Sequence, residues 1–416
     1  MPYRVIRLLV VALAFGIAIG RAQERPGASW PAAIHAVPSP ASPDSAQPQL
    51  SASSRGVILS WLERDGERAA LRFSERTPDG WSAPRTVASG TNWFVNWADV
   101  PSVVRLADGT LVGHWLQKSG PDTYAYDVRL SYSRDDGRTW SASFSPHSDG
   151  TKTEHGFASL FEMPGAGLGL IWLDGRGTKP GPGEGGHGAE RGAMSVRFAA
   201  FDSNWKQTAE APIDLRVCDC CPTTAVVTAE GPVAAFRNRT DDEVRDIYVS
   251  RLENGTWTGP AAVHVDDWTI NACPVNGPML SARGRNVAIA WFTGKNEQGR
   301  AYVAFSHDAG RTFGAPIRLD DAGTLGRVDV ELMPNGSAAA SWIELADRRA
   351  QFRARRIEPS GARSASMTVS TLSGGRASGY PRIASTDDEI VFAWTDSVDG
   401  RSQVQTAVTR LPRTIR

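Results

Sequence analysis

The chain lacks most of the features that would assign it quickly. Its 45 lysines and arginines equal its 45 aspartates and glutamates, so there is no basic surplus for a nucleic-acid partner and no acidic surplus for a solvated tail. It has no P-loop, no dinucleotide-binding glycine pattern and no other cofactor motif. After the first 22 residues no apolar run is long enough to cross a bilayer. We therefore expect neither nucleic acid nor a membrane span in the mature protein.

The N-terminal segment carries the pattern of an export signal. Arg4 and Arg7 form a basic region, residues 8–19 an apolar run and residues 20–22 a small-residue cleavage site, in the order that secretory signals have. We expect residues 1–22 to be a signal peptide and the mature protein to be periplasmic or secreted, where disulfides persist.

Cysteine is scarce but clustered. Cys218, Cys220 and Cys221 lie within "CDCC", and Cys273 is the only other cysteine. Four cysteines in an exported chain favour two disulfides, and a bridge from Cys273 to the cluster is the easiest because adjacent cysteines pair only through a strained ring. Such strain would make the pair more reducible and open to disulfide exchange.

A metal site is the alternative reading of the same four residues. Soft thiolate ligands select copper or zinc, and either His155 or His187 could reach the cluster. The spacing matches no recognised zinc-finger pattern. The sequence thus leaves structural disulfides, a soft-metal site and disulfide exchange open.

Long apolar runs are also few, while 14 Trp, 41 Gly and 26 Pro are typical of many short strands joined by turns. A short apolar strand ending in an aromatic residue recurs seven times, at gaps of 51 to 64 residues. The aromatic residues are Trp61, Trp115, Trp172, Phe236, Trp291, Trp342 and Trp394. Each interval holds further strand patterns, roughly four per repeat, and four-stranded units arranged radially form a β-propeller.

We therefore predict an all-β propeller of seven four-stranded blades, with six as the alternative if one repeat is irregular. The third repeat is the expected irregular one, because it carries a long Gly/Pro-rich insertion. The last repeat lacks a fourth strand, and "ASWPAAIHAV" near the N-terminus matches "GTWTGPAAVHV" at residues 255–265. Residues 29–37 should then complete the last blade. Residues 23–50 would hold this closing strand and a Pro/Ser-rich linker, and residues 51–416 the propeller.

Two turns carry a sharper motif. "SRDDGRTW" (residues 133–140) and "SHDAGRTF" (residues 306–313) fit Ser-x-Asp-x-Gly-x-Thr-aromatic, in which the polar side chains bond the turn backbone and Gly takes a positive φ. These turns resemble the Asp boxes (BNR repeats) of the sialidase-like propeller superfamily, and the resemblance covers essentially the whole mature chain. It implies the fold, since such boxes lie on the face away from the usual ligand site.

The opposite face gathers the loops that enter the first strands, where ligands approach the central channel. Arginines on these loops, Arg237, Arg245 and Arg327, could clamp a carboxylate bidentately, with Asn96 and Trp268 as further ligand contacts. Solvated or loop-pinning arginines are the alternative.

The resemblance to sialidases further implies a tyrosine nucleophile paired with a glutamate, and an aspartate acid. By position on this face, Tyr380 would be the nucleophile and Asp99 the acid. The Arg-Ile-Pro motif of sialidases is absent, and sialidases have six blades, so these are placements and not motif matches.

Three functions therefore stay open. The first is binding of an acidic glycan or similar anion at the channel face, with glycoside hydrolysis of the exo-α-sialidase type. The second is a non-enzymatic envelope protein whose cysteines bind a soft metal or exchange disulfides. The third is a scaffold that docks another protein.

Overall fold

The computed structural model describes residues 30–411 apart from 31, 164, 166, 179–191 and 399. Its strands form seven separate antiparallel sheets, or blades. Blade 1 consists of β2 (Ser45–Ser53), β3 (Gly56–Asp65), β4 (Arg68–Thr77), β5 (Gly80–Trp81) and β6 (Arg85–Gly90). Blade 2 consists of β7 (Ser102–Arg105), β8 (Leu111–Lys118) and β9 (Tyr126–Ser133). Blade 3 consists of β10 (His155–Met163), β11 (Gly167–Asp174), β12 (Met194–Phe201) and β13 (Gln207–Val217).

Blades 4 to 7 complete the ring. Blade 4 consists of β14 (Thr224–Thr228), β15 (Gly231–Arg237), β16 (Ile247–Glu253), β17 (Thr256–Trp257) and β18 (Ala261–Ala262), and blade 5 of β19 (Met279–Arg283), β20 (Asn286–Thr293), β21 (Arg300–Ser306) and β22 (Ile317–Arg318). Blade 6 consists of β23 (Gly323–Leu332), β24 (Ala338–Ala346), β25 (Arg349–Ile357) and β26 (Met367–Leu372). Blade 7 consists of β27 (Arg382–Ser385), β28 (Glu389–Val398), β29 (Arg401–Arg410) and the N-terminal strand β1 (His35–Val37). The first strand of each blade packs against the first strand of the next, and β27 packs back onto β2. The seven-bladed propeller is confirmed.

The recurring aromatic residues form the core between blades. All seven are buried, Trp61, Trp172 and Trp342 completely. Because side chains two apart lie on the same side of a strand, the indole of each of these three donates to the carboxylate two residues later, as in Trp172 to Asp174 at 2.8 Å. The repeat therefore satisfies a buried polar N–H as well as burying a large ring.

The predicted N-terminal strand that completes the last blade is present. Strand β1 pairs with β29, with Ala36 opposite Ala407, and the Thr406 hydroxyl donates to the Val37 carbonyl at 2.9 Å. An N-terminal strand thus closes the last blade, which hides the free edge that an open ring would expose. Ser29 and the predicted signal peptide lie outside the described residues.

The two Asp-box turns have the expected local geometry. The Ser306 hydroxyl donates to the Asp308 carboxylate at 2.7 Å, and the same carboxylate accepts from the Thr312 backbone N–H at 2.9 Å. Gly310 has φ 80°, a conformation that side-chain-bearing residues rarely adopt. Residues 133–139 repeat these contacts. Each turn follows a third strand, on the face opposite the loops that enter the first strands.

One expectation about regularity was wrong. Blade 3 has four long strands, and blade 2 is the irregular one: its sheet has three strands, with a single bridge between Leu130 and Phe144 in the fourth position. Residues 179–191, in the blade 3 insertion, lie outside the described part. Among the described residues no helix is long and apolar enough to cross a bilayer.

Candidate functional site

The channel mouth is the face at which the first strands begin and the second strands end. Below it lies a cavity of about 340 Å³ on the propeller axis, lined by residues from all seven first strands or the loops that enter them. Asp99, Asp329, Glu331 and Arg382 contribute charged groups to its wall. The cysteine loop, residues 218–223, lies at this mouth because it links the last strand of blade 3 to the first strand of blade 4.

Three sulfurs meet in this loop. The Cys218 Sγ lies 3.2 Å from the Cys221 Sγ and 3.9 Å from the Cys220 Sγ, and the three sulfurs lie within 4.8 Å of one another. Cys218 and Cys221 are buried, whereas Cys220 is partly exposed. We call these three residues the thiol cluster. One edge of it is therefore accessible from solvent.

The thiol cluster is polarised around Cys218. The Arg245 guanidinium, which is completely buried, donates to the Cys218 Sγ at 3.2 Å. Burial by itself would raise the pKa of Cys218, but hydrogen bonds from Cys220 and Cys221 and the charge of Arg245 outweigh it and hold that pKa well below its ordinary value. The hydrogen bond to Cys218 raises the pKa of Cys220, and burial raises that of Cys221. The charge of Arg245 and the two hydrogen bonds therefore favour Cys218, over Cys220 and Cys221, as the sulfur that loses its proton first.

The loop that contains Cys273 and enters blade 5 packs against the cysteine loop, as the sequence predicted. The Asn276 backbone N–H lies 3.4 Å from the Cys221 Sγ, and the exposed Cys273 thiol is in hydrogen-bonding reach of Cys220. No disulfide joins any of the four cysteines, each of which is a described residue. The expected disulfides are therefore not shown, and the Cys218 Sγ stands too far from the Cys220 and Cys221 sulfurs to be bonded to either, since an S–S bond is about 2.05 Å long.

The side chains of the three arginines proposed to clamp a carboxylate bind groups of the protein itself. Arg237 is 2 % exposed and donates to three backbone carbonyls, among them Asn276 at 2.8 Å and Phe292 at 2.7 Å. Its guanidinium lies 5.0 Å from the centre of the Trp268 ring. These bonds hold the loops that enter and leave blades 4 and 5.

The other two arginines are also engaged. Arg245 binds the Glu243 carboxylate at 2.7 Å as well as Cys218, and Arg327 donates to the Ser378 hydroxyl at 2.7 Å and the Gly379 carbonyl at 2.9 Å. The described contacts do not bring the three guanidiniums together around one point. Anion binding by these residues stays a prediction, and the contacts match the loop-pinning alternative.

The remaining sequence candidates are placed as follows. Asn96 accepts from the Ala98 backbone N–H at 2.9 Å, and Trp268 is 6 % exposed beneath Arg237. Tyr380 is buried, with its hydroxyl donating to the Val275 carbonyl. These contacts tie the mouth loops to one another, and their roles in ligand binding stay untested.

A tyrosine that sequence reasoning missed contacts the carboxylates instead. The Tyr126 hydroxyl lies 2.7 Å from the Glu154 carboxylate and 3.1 Å from the Asp99 carboxylate. Asp99 also accepts from the Phe157 backbone N–H at 2.7 Å. We call Asp99, Tyr126 and Glu154 the carboxyl trio. It joins the loop before blade 2, the third strand of blade 2 and the loop before blade 3.

Burial dominates the electrostatics of the carboxyl trio. Burial raises the pKa of Asp99 to about 7 and that of Glu154 to about 8. Burial, followed by the nearby charges of Glu154 and Asp99, raises the pKa of Tyr126 well above its ordinary value. At neutral pH the carboxyls can therefore donate protons, whereas the tyrosine hydroxyl is a poorer nucleophile than a free one.

A signal for the missed residues exists in the sequence. Tyr126 begins the strand pattern "YDVRLSYS", and Glu154 lies in "TKTEHGF". Both are polar residues at strand ends that face the channel mouth, and a search of all such ends would have included them. Their pairing could not be read from spacing, because it crosses between two blades.

The comparisons with known proteins bear on the fold. No protein-family model and no curated protein matches the chain. A protein of unknown function from Dyadobacter fermentans DSM 18053 superimposes with a TM-score of 0.52 at 14 % sequence identity, and the superposition covers 93 % of this chain and 100 % of that protein. The polysaccharide lyase Uly1 superimposes with a TM-score of 0.52 at 11 % identity, covering 87 % and 89 %. At these identities the likeness shows the fold alone. Together with the two Asp-box turns, it agrees with the sialidase-like propeller fold that the sequence predicted.

Proposed function

We propose that the protein binds a thiophilic metal ion, Cu(I) or Zn²⁺, at the channel mouth through Cys218, Cys220 and Cys221. The observation that carries the proposal is the convergence of three sulfurs within 4.8 Å of one another. Soft thiolate ligands are those that select Cu(I) and Zn²⁺ over harder ions.

The spacing of the sulfurs supports this. Metal–sulfur bonds of about 2.3 Å in a tetrahedral site separate neighbouring sulfurs by about 3.8 Å. The separation of Cys218 and Cys220 is already 3.9 Å, and that of Cys218 and Cys221 is 3.2 Å. The third pair, Cys220 and Cys221, lies within 4.8 Å, so side-chain movements of about 1 Å or less would bring the three sulfurs to the spacing of one ion. Cys273, exposed and in reach of Cys220, lies outside this group of three sulfurs and would have to move closer to become the fourth ligand of a zinc ion.

The nearby guanidiniums are engaged by protein groups and are not gathered around a site for an anion. The guanidiniums of Arg237 and Arg327 bind main-chain carbonyls, and Arg239 binds the carboxylates of Glu243 and Asp219. Of the thiol cluster, Cys220 is the partly exposed member, and an incoming ion would meet its sulfur first. Arg245, whose charge is buried beside Cys218, would offset the negative charge of a metal–thiolate site.

The proposal takes the protein to be exported, as the N-terminal sequence indicates. In an oxidising compartment a bound metal would protect adjacent thiols that otherwise form strained or mixed disulfides. Fractionation of expressing cells, with antibody detection of the mature chain, tests this part separately.

The experiment is a competition titration of the fully reduced protein, under nitrogen, against a coloured Cu(I) chelator and separately against a zinc indicator. We expect about one tightly held ion of the preferred metal. Cys218→Ser, Cys220→Ser and Cys221→Ser should each weaken binding at least about tenfold, and Cys273→Ser should do so only for zinc. His307→Ala, a change on the opposite face, is the control. Unchanged binding in all three cluster variants would overturn the proposal.

A second candidate function, cleavage of a glycan, has one observation in its favour. The carboxyl trio combines a tyrosine, a glutamate and an aspartate, the residue types that the resemblance to sialidases implies, and one protein of similar fold is a polysaccharide lyase. Against it, Tyr126 and Asp99 are 0 % and 1 % exposed, so a substrate would reach them only after the mouth loops move. The metal proposal therefore stands first.

Glycan binding and cleavage have their own test. Purified protein would be assayed with a fluorogenic sialoside and with a panel of acidic polysaccharides, with Tyr126→Phe and Glu154→Gln as the variants. Activity that both variants abolish while folding is retained would establish this function. Inactive wild-type protein on every substrate would remove it and leave the metal assay unaffected. Docking of another protein stays a prediction.

A further inference from the structure

A second polar cluster lies on the outer side of the carboxyl trio, in the crevice between blades 2 and 3. A parallel bridge joins Tyr126 to Glu154, and side chains alternate along extended chain. Tyr126 and Glu154 therefore contact each other on the channel side, while the next residues, Asp127 and His155, contact each other on the far side, with the carboxylate 3.5 Å from the His155 Nδ1.

His155 is the centre of this outer cluster. It is completely buried, and its Nε2 lies 3.2 Å from the Asp149 Oδ2 and 3.8 Å from the Asp174 Oδ2. The three atoms lie within 4.8 Å of one another. His147 stacks on His155 with ring centres 3.9 Å apart, and its Nδ1 lies 3.1 Å from the same Asp149 oxygen.

The buried Nε2 of His155 has no hydrogen-bond partner among the described residues. On the other side of the ring, Nδ1 lies 3.3 Å from the Tyr126 carbonyl, an acceptor that calls for a proton on Nδ1. When Nε2 carries no proton, its lone pair faces two carboxylate oxygens. The Arg176 Nη2 lies 2.8 Å from the Asp174 Oδ2 and 3.4 Å from the Asp149 Oδ2, so these oxygens already share one cation. No described contact joins that guanidinium to Nε2, and this buried nitrogen therefore needs a proton or a metal ion as its partner.

The charge count agrees. The cluster and its ion pairs contain the carboxylates Asp127, Asp149, Asp174 and Glu210 and the guanidiniums Arg176 and Arg197. Among the described residues this leaves two negative charges in excess when both histidines are neutral and one when His155 is protonated. A divalent ion bound to neutral histidines would offset the two.

The hydrogen bonds that orient His155, Asp149 and Asp174 are of the kind found around metal ligands. Ligating histidines donate their other N–H to a carbonyl or carboxylate, and ligating carboxylates are themselves hydrogen-bonded. His155 has the Tyr126 carbonyl, the Asp149 Oδ1 accepts from the Thr151 backbone N–H at 2.9 Å, and the Asp174 Oδ2 accepts from Trp172 at 2.8 Å. Bonds of about 2.1 Å in a tetrahedral site place ligand atoms about 3.4 Å apart, between the 3.2 and 3.8 Å observed.

We infer that His155, Asp149 and Asp174 form a site for a borderline divalent metal ion such as Zn²⁺, separate from the thiol cluster. The mixed nitrogen and oxygen ligands distinguish it from the sulfur site. Arg176, now paired with Asp174 at 2.8 Å, keeps its second partner Glu210 at 2.9 Å when the ion binds.

The test uses full-length protein in which all four cysteines are replaced by serine, titrated with zinc chloride and followed by calorimetry and metal analysis. We expect about one zinc ion per chain and a raised melting temperature. His155→Ala and Asp149→Asn should each weaken binding about 10- to 100-fold. His307→Ala, which removes an exposed histidine, should leave it unchanged.

Two further readouts keep the inference falsifiable if the serine variant does not fold. In wild-type protein given two equivalents of zinc, X-ray absorption should show zinc–nitrogen/oxygen distances of about 2.0–2.1 Å in addition to zinc–sulfur distances of about 2.3 Å. Purely sulfur ligation, no zinc bound by the serine variant, or binding unaffected by His155→Ala and Asp149→Asn would overturn it, and a protonated His155 would then supply the cation. Failure of the thiol site would leave these signals in place.

Discussion

Replacing Asp99 by asparagine should change how stability depends on pH. Asp99 is 1 % exposed, accepts from the Phe157 backbone N–H and contacts the Tyr126 hydroxyl. Burial raises its pKa from 3.8 to about 7. Below pH 3.8 both the folded and the unfolded chain hold the proton, and between pH 3.8 and 7 only the folded chain does. The free energy of unfolding therefore falls as pH rises through this window and levels off above it.

The magnitude follows from the shift. Each pH unit inside the window removes about 1.4 kcal/mol, which amounts to about 3 kcal/mol between pH 5 and pH 8. Asparagine has the shape of the protonated carboxyl and no charge to bury. Asp99→Asn should thus differ little from wild type near pH 4 and become more stable than wild type by about 4 kcal/mol at pH 8.

Urea unfolding of both proteins at pH 4, 5, 6, 7 and 8 measures this difference. Asp241→Asn, a change at a carboxylate whose side chain is 90 % exposed, is the matched control and should track wild type. A difference between Asp99→Asn and wild type that stays constant over the whole range would refute the reasoning, because it would mean that Asp99 is ionised in the folded protein throughout.

Three further outcomes are expected. Gly156→Ala should lower the free energy of unfolding by about 1–3 kcal/mol, because the added Cβ would lie 2.0 Å from the Asp99 carboxylate; Gly259→Ala, where nothing lies within 4 Å, should cost less in the same urea assay. Asp308→Ala should lower thermal stability at pH 7, because it removes the acceptor of the Thr312 hydrogen bonds. Hydrogen bonds hold the pKa of Asp308 below its ordinary value, so the difference in stability from wild type should shrink as pH falls below 3.8. Metal affinity of the thiol cluster should rise up to about 100-fold per pH unit near neutrality, because two thiols with raised pKa values must lose protons; chelator competition at pH 6, 7 and 8 measures it, and a flat profile would contradict the assigned thiol ligands.

The propeller could be predicted because its signals are local and repeated. Each blade except the last is one continuous unit of chain, so the buried aromatic residue recurs at the second strand of every unit. The missing fourth strand of the last repeat indicated that an N-terminal strand completes it. The irregular blade was missed for the opposite reason. Strand pairing in blade 2 ends early through the conformation of residues 134–151, which leaves no repeating pattern in the sequence.

The sites depended on contacts between blades, which spacing does not encode. The sequence alone determined that four cysteines, several arginines and Asp99 lie on one face, since blade periodicity assigns every loop to a face. Only the tertiary structure decided that Arg245 lies against Cys218, that Tyr126 and not Tyr380 meets Asp99, and that His155 points away from the thiols. A side chain at a strand end can turn toward either of two neighbouring blades, and the packing of the ring selects which.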